Sequence, residues 1–390
     1  MEYLDTVTPE YEIINKSNLF DDKYYLKKNP DILHSNLDPL KHFMKYGWKE
    51  NRNPSSRFNI LYYLNKYPDI KKSGMNPLLH YLKYGIHEKR LKNQREEFIQ
   101  HTVVEIKKWF YYFVLLRTIS FFPPFLSYRI ACLIGDIQYL QKSLYKNTIE
   151  NGLRTLFPLN DCLRFSRLHL RLRVKEMLDV FYLQRFKKAN FPIEFKGESV
   201  LKNAMSYQKG VIIVMAHYGR ANMLGLALAI KGYKIGMVTV PFDIRNRSLS
   251  FVDRMYFQYK GKEMLNTFGG QWFTTENNDF KKLYRALQNG EIIAIMSDVK
   301  SDKSIKGDFF SGKLSVAQGV LRLAEYTHAK IVYGVCFDSN IDNVIAEIRS
   351  LPDRPLEAMQ SMIKELEKDV QSSPWQWFHL NILNSLWSKK

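Results

Sequence analysis

Two residues stand where a chain of this kind can do acid–base chemistry. His217 follows residues 211–216, Val-Ile-Ile-Val-Met-Ala, a short apolar run rich in β-branched side chains that reads as a fully buried strand. Asp298 follows Ile292–Met296 and Ser297, a second run of the same type. In open α/β sheets functional groups gather beyond the carboxyl ends of strands, and this singles the pair out from nine histidines and 39 acidic residues. A histidine held by an acceptor can take a proton from a hydroxyl near neutral pH. A carboxylate beside it orients the imidazole and stabilises its charged form. A packed strand-end histidine and a capping or loop carboxylate are the plainer readings of the same residues.

The elements that must carry these groups alternate. After the strand at 211–216 come a helix at 223–230 stopped by Gly232, a strand at 235–240 and a helix at 280–288 ending at Gly290. The strand at 292–296, a helix at 317–327 and strands at 330–337 and 343–348 complete the pattern. Alternation of this kind predicts an α/β sandwich. Upstream, residues 164–185 interleave Arg164, Arg167, Arg171, Arg173 and Lys175 with Leu and Val. That spacing predicts an amphipathic helix whose charged face is solvated or drawn to anionic lipid.

The first hundred residues are different in kind. Phe20, Tyr24-Tyr25-Leu26, Pro30-Asp31-Ile32, His42 and Tyr46-Gly47 recur 38 positions later as Phe58, Tyr62-Tyr63-Leu64, Pro68-Asp69-Ile70, His80 and Tyr84-Gly85. Each unit reads as a short helix, a Pro-Asp turn, a second helix over 39–46 and a glycine stop. Two copies are few for a self-sufficient stack and are expected to lean on the remaining domain. The expected organisation is therefore a small all-α repeat module at 1–97 and an α/β domain at 98–390. The repeat resembles the Phe-Asp-x-x-Tyr-Tyr-Leu-x-x-Asn-Pro-Asp helical repeats found beside bacterial glycosyltransferases and polysaccharide-biosynthesis enzymes. His42 and His80 are candidate ligands by position, though packing against the neighbouring Tyr and Gly explains them as well. The module reads as an interaction unit without chemistry.

Composition narrows the partners. With 45% hydrophobic and 25% charged residues the chain has ample material for a core and is not a disordered protein. The formal net charge is +19, and 17 basic against 13 acidic side chains in residues 1–97 leave +15 on the remainder. Such an excess favours an anionic partner: nucleic acid, phospholipid headgroups or an acidic carrier protein. No nucleic-acid-binding motif accompanies it, so no nucleic-acid partner is expected. Three dispersed cysteines, Cys132, Cys162 and Cys336, predict neither a disulfide framework nor a zinc site. The acidic start at Met1 to Asp5 lacks the apolar stretch of a secretory signal. Apolar aromatic residues 109–116 and 119–126 are divided by Arg117 and broken at Pro123-Pro124. They are too short to span a bilayer, which takes about 20 apolar residues. With Lys107, Lys108, Arg117 and Arg129 alongside, they suit a segment in the headgroup layer or an ordinary core helix.

From about residue 110 to 388 the chain resembles the bacterial lipid A late acyltransferase family, which includes lauroyl- and myristoyl-transferases and related mannoside acyltransferases. The resemblance runs in order through residues 147–158 ending Leu156-Phe157-Pro158, the strand and His-x-Gly segment of 210–222, and the strand of 289–298. It continues through Gly307-Asp308-Phe309-Phe310-Ser311-Gly312, residues 319–335 and Pro374-Trp375-Gln376-Trp377-Phe378. It implies an acyltransferase-type α/β sandwich that moves a fatty acyl chain from acyl carrier protein or coenzyme A to a hydroxyl of lipid A or a related glycolipid. It also implies action at the cytoplasmic face of the bacterial inner membrane, as a peripheral or monotopic protein with no metal or other cofactor. His217 maps onto the family's general base. Where the family carries His-x4-Asp/Glu this chain has Asn222, an amide that can accept from the imidazole but brings no charge. Asp298 is then the candidate to supply the carboxylate. Arg220, Arg245 and Arg254 are candidates for holding an anionic headgroup or acceptor, as is nearby Arg247. Phe309 and Phe310 are candidates for the wall of an acyl channel. An acceptor belonging to a capsular or other surface-polysaccharide lipid, and a scaffold that lost catalysis through Asn222, are the competing readings.

Overall fold

The computed structural model describes residues 8–35, 37–141, 143–157, 161–275, 279–339 and 343–389; Pro158 and the acidic start at Met1 to Asp5 lie outside them. The chain divides into units at 1–107 and 108–390. The expected boundary at 97 falls inside the helix Gln94–Trp109, so the compositional change there marks no break in the backbone.

In the first unit each repeat opens on a capped helix. Asp21 accepts from the Tyr24 amide (3.0 Å) ahead of Asp22–Lys28, and Asn59 accepts from the Tyr62 amide (2.9 Å) ahead of Ile60–Lys66. The Pro-Asp turns are instead short helices, Pro30–Leu33 and Pro68–Ser73, because proline at the first position fixes φ and gives up an amide the helix would leave unpaired. The next helices, Pro39–His42 and Pro77–His80, widen into π-helical turns at Phe43–Gly47 and Tyr81–Gly85. The glycines are not stops. A Cβ on Gly47 would stand 2.0 Å from the Tyr25 hydroxyl, so the residue is needed for close approach. Tyr25 and Tyr63 turn their hydroxyls to Nδ1 of His42 and His80, 3.0 Å in each repeat, which gives both histidines a packing partner. Tyr25, Phe43, Phe58, Tyr63 and Leu78 belong to one buried core.

The second unit is built on a seven-stranded sheet. Its strands are β1 (Glu194–Lys196), β2 (Val211–Met215), β3 (Ile235–Thr239), β4 (Gly269–Thr274), β5 (Ile292–Met296), β8 (Lys330–Asp338) and β9 (Val344–Ser350). They lie in the order β1-β9-β8-β2-β5-β3-β4. The five strands from β8 to β4 run parallel; β9 and its parallel neighbour β1 run the other way. A second, antiparallel sheet joins β6 (Ser304–Phe309) to β7 (Gly312–Ala317) and β10 (Trp387–Lys389). The helix expected from 317 begins at Gly319, because Ala317 is the last residue of β7.

Alternation along β2 divides the hydrophobic interior in two. Val211, Ile213 and Met215 face one core and Ile212, Val214 and Ala216 the other. Helices cover both faces, so the strand is apolar throughout, as a central parallel strand must be. The helices that matter for the site are α1 (Pro124–Leu140), α2 (Leu144–Leu156), α3 (Cys162–Asp179), α4 (Ala221–Ile230), α5 (Phe251–Phe268) and α6 (Pro355–Ser372). α4 and α5 pack on the first core, α2 and α6 on the second. The basic helix expected at 164–185 is α3, which ends at Asp179; Arg164 on it is exposed, but three further arginines are engaged. Arg167 and Arg171 both clamp Asp136 of α1, and Arg173 lies over the Tyr145 ring. Among the described residues no helix is long and apolar enough to cross a membrane.

Candidate active site

Register brings His217 and Asp298 together. β2 pairs with β5 in parallel from Val211↔Ile292 to Met215↔Met296. Two residues further along each strand, the same spacing of 81 sets His217 beside Asp298. The His217 amide donates to both carboxylate oxygens at 3.0 Å, and its ring Nδ1 lies 2.7 Å from Oδ1. Asp298 is fully buried, whereas the His217 side chain keeps 36% of its surface open.

The turn carrying His217 is tightly constrained. Gly219 has φ +61°, and a Cβ there would stand 1.8 Å from the Cys336 carbonyl oxygen. Its amide donates to the Gln376 carbonyl (2.8 Å), and the Phe378 amide donates to the His217 carbonyl (2.8 Å). The segment 374–379 therefore clasps the histidine from the far end of the chain. Trp377 donates its indole N–H to Asp298 Oδ2 at 3.0 Å. His379 stacks on His217 with Nδ1 3.3 Å from Oδ2. The buried His169 of α3 holds the same segment, Nδ1 bonding to the Trp375 carbonyl (2.8 Å) and Nε2 to the Tyr145 hydroxyl (3.1 Å). Burial pushes His169 down to about 4, so it stays a neutral staple. The Trp375 ring stacks on Phe165.

Burial alone would raise the Asp298 carboxyl, but the facing imidazoles outweigh it and hold the group well below the usual carboxylate range. Burial pulls His217 down; the Asp298 charge and hydrogen bond prevail, and its pKa rises above the ordinary value. An ionised Asp298 requires the proton of neutral His217 on Nδ1, which leaves the Nε2 lone pair free. That is the tautomer a general base needs.

Ligating atoms of His217, Asp298 and His379 lie within 4.8 Å of one another, a metal-capable set among the described residues. The geometry suits protons better. At 2.7 Å the His217 Nδ1–Asp298 Oδ1 separation is that of a hydrogen bond, and His379 Nδ1 stands 3.3 Å from Oδ2 without one.

Several expected site residues are placed elsewhere. Asn222 is buried, and its amide donates to Glu176 Oε1 of α3 (2.7 Å) rather than accepting from His217. Arg220 cannot meet a substrate: it is 0% exposed, paired through Nε (2.8 Å) and Nη2 with Asp179 and lying over the Tyr128 ring. A guanidinium flanked by apolar strands must find its counter-charge inside. Phe309 is not a channel wall, because it is wholly buried against Trp377 and thereby supports the indole that reaches Asp298. Phe310 is half-buried, edge-on to Phe157 at 5.0 Å. Arg245 is exposed and forked onto Asp243, Arg247 is exposed, and Arg254 donates to the Leu249 carbonyl (2.9 Å). Trp377, His379, Glu176 and Lys260 were not among the expected site residues. Trp377 sits inside the closing element and His379 directly after it, and Glu176 is one of two acids, with Asp179, in an otherwise basic and apolar helix.

Residues 94–384 match the family model described as bacterial lipid A biosynthesis acyltransferase. No curated protein matches the chain.

Proposed function

The chain belongs to the bacterial lipid A biosynthesis acyltransferase family, and from that membership we propose that it transfers a fatty acyl chain from an acyl carrier protein or coenzyme A thioester to a hydroxyl of a lipid A-type glycolipid. The observation that carries the reading is the 2.7 Å bond between His217 Nδ1 and a buried, ionised Asp298, with the imidazole still open to solvent. Nε2 takes the proton of the acceptor hydroxyl as its oxygen attacks the thioester carbonyl. The tetrahedral intermediate collapses by breaking the carbon–sulfur bond, and the departing thiolate takes the proton back from His217. No acyl-enzyme is required. Asp298 stabilises the imidazolium while it lasts. The intact pair supports catalysis over a scaffold role despite Asn222.

Surroundings of the site support a lipid substrate. A cavity of about 20 Å³ is lined by Met215, Ala221, Asn222 and Met296 among others, room for one small group. An acyl tail enters by displacing the two methionines, whose unbranched side chains adapt readily. Phe121, Phe122, Phe125, Leu133, Ile137 and Leu140 are exposed at and along α1, with Arg129 among them. An apolar stripe with a cation suits a helix lying in the headgroup layer at the cytoplasmic face of the inner membrane.

The test is mass spectrometry of total glycolipids from cells with the intact protein, without it, and with His217→Ala. An acyl-sized mass present only with the intact protein supports the reading, and its acceptor identifies the lipid. Identical profiles in all three overturn it.

A further inference from the structure

Asn222 Nδ2 and Lys260 Nζ converge on one oxygen, Oε1 of Glu176, at 2.7 and 2.6 Å. The three residues come from three helices, α4, α5 and α3, and all are largely buried, the Glu176 side chain 18% and Lys260 16% exposed. Burial would raise the Glu176 carboxyl, yet the Lys260 charge and the two hydrogen bonds keep it below its ordinary value and therefore ionised. Asn222 stands in the first turn of α4, directly after the turn that carries His217, so its bond to Glu176 ties the cluster to that segment; from there the Lys260 charge disfavours the protonated ring and the Glu176 charge favours it. We propose that Glu176 is a positioning carboxylate for His217, fixing Lys260 near the imidazole and supplying, beside Asp298, a second negative charge toward the imidazolium. The proposal rests on the acyl-transfer reading and adds a residue to it.

The arrangement also accounts for a neutral side chain at 222. An acid there would meet Glu176 Oε1 at hydrogen-bond distance, and two carboxylates so close cannot both ionise. An amide donates a hydrogen bond instead and leaves Glu176 its charge. Position 222 and position 176 thus form a unit that tolerates one carboxylate.

Two measurements test the unit. NMR titration of the His217 ring needs no turnover, so it separates this proposal from the acyltransferase reading itself. The groups acting on that ring are Asp298, His379, Glu176 and Lys260. Glu176→Gln is expected to lower the His217 midpoint and Lys260→Gln to raise it; a Glu176→Gln midpoint equal to that of the wild type overturns the proposal. In the transfer assay, Glu176→Gln and Asn222→Asp are each expected to lower kcat about ten-fold, with KM little changed, and the double variant to recover to within about three-fold of the wild type. Losses that simply add in the double variant, with all four proteins melting alike, also overturn it.

Discussion

His379 lies flat against His217, ring centroids 4.3 Å apart, and stands over Oδ2 of Asp298, the oxygen that the His217 ring does not bond. Two imidazoles over one carboxylate compete for its charge. His379→Phe keeps a flat ring in the stack and removes the competitor, so Asp298 serves His217 alone and stabilises its protonated form more strongly. On the proposed mechanism His217 must be neutral to act, so the acidic limb of kcat/KM is expected to move to higher pH. A limb that stays where it was shows that His379 takes no share of the carboxylate.

Asp298→Asn is expected to abolish transfer for practical purposes, about 10⁴-fold in kcat by analogy with the amide replacement in serine-protease triads. Its residual activity carries a signed pH effect. Asp298 raises the His217 pKa, so the wild type loses activity as pH falls through that raised value. Without the charge the pKa drops and the acidic limb moves to lower pH, opposite to His379→Phe. Unchanged turnover removes Asp298 from the mechanism.

Arg220 tests structure rather than substrate binding. Arg220→Met leaves Asp179 buried without its cation, a loss of about 3–5 kcal/mol in stability. Thermal melting reads the loss directly. Whatever fraction folds is expected to keep the wild-type KM for acceptor; a raised KM with unchanged melting would return Arg220 to the binding site.

The exposed stripe of α1 makes a separate prediction. Leu133→Glu with Ile137→Glu puts two like charges on an already solvent-facing surface, so folding is expected to persist while sedimentation with anionic vesicles falls by at least about ten-fold. Vesicle binding equal to the wild type would locate the membrane contact elsewhere.

What the sequence disclosed follows the range of the forces involved. Runs such as Val211 to Ala216 and Ile292 to Met296 announce buried strands because a central parallel strand is apolar on both faces. Their carboxyl ends then mark His217 and Asp298 before any register is known. Family membership and the α/β architecture were equally readable, from the order of short motifs. Side-chain direction was not. Arg220 and Asn222 follow His217 closely in sequence, and Phe309 comes in the strand after Asp298, yet all three turn into the interior, because Asp179, Glu176 and Trp377 await them there from distant segments. Nor does any local pattern reveal that Trp377 and His379 return to a strand end some 80 residues earlier. The repeats show the same limit. A glycine after a helix reads as a terminator until the Tyr25 hydroxyl is found occupying the space of its missing side chain.

The elbow at Gly219 has a bearing on how variants of this enzyme will be interpreted. A saturation screen scored by activity will rank Gly219 beside His217, since any side chain there must displace the Cys336 carbonyl and with it the loop. The two intolerances have different origins, and protein abundance separates them: inert His217 variants accumulate normally, whereas Gly219 variants are cleared by the cell before they can fail at chemistry.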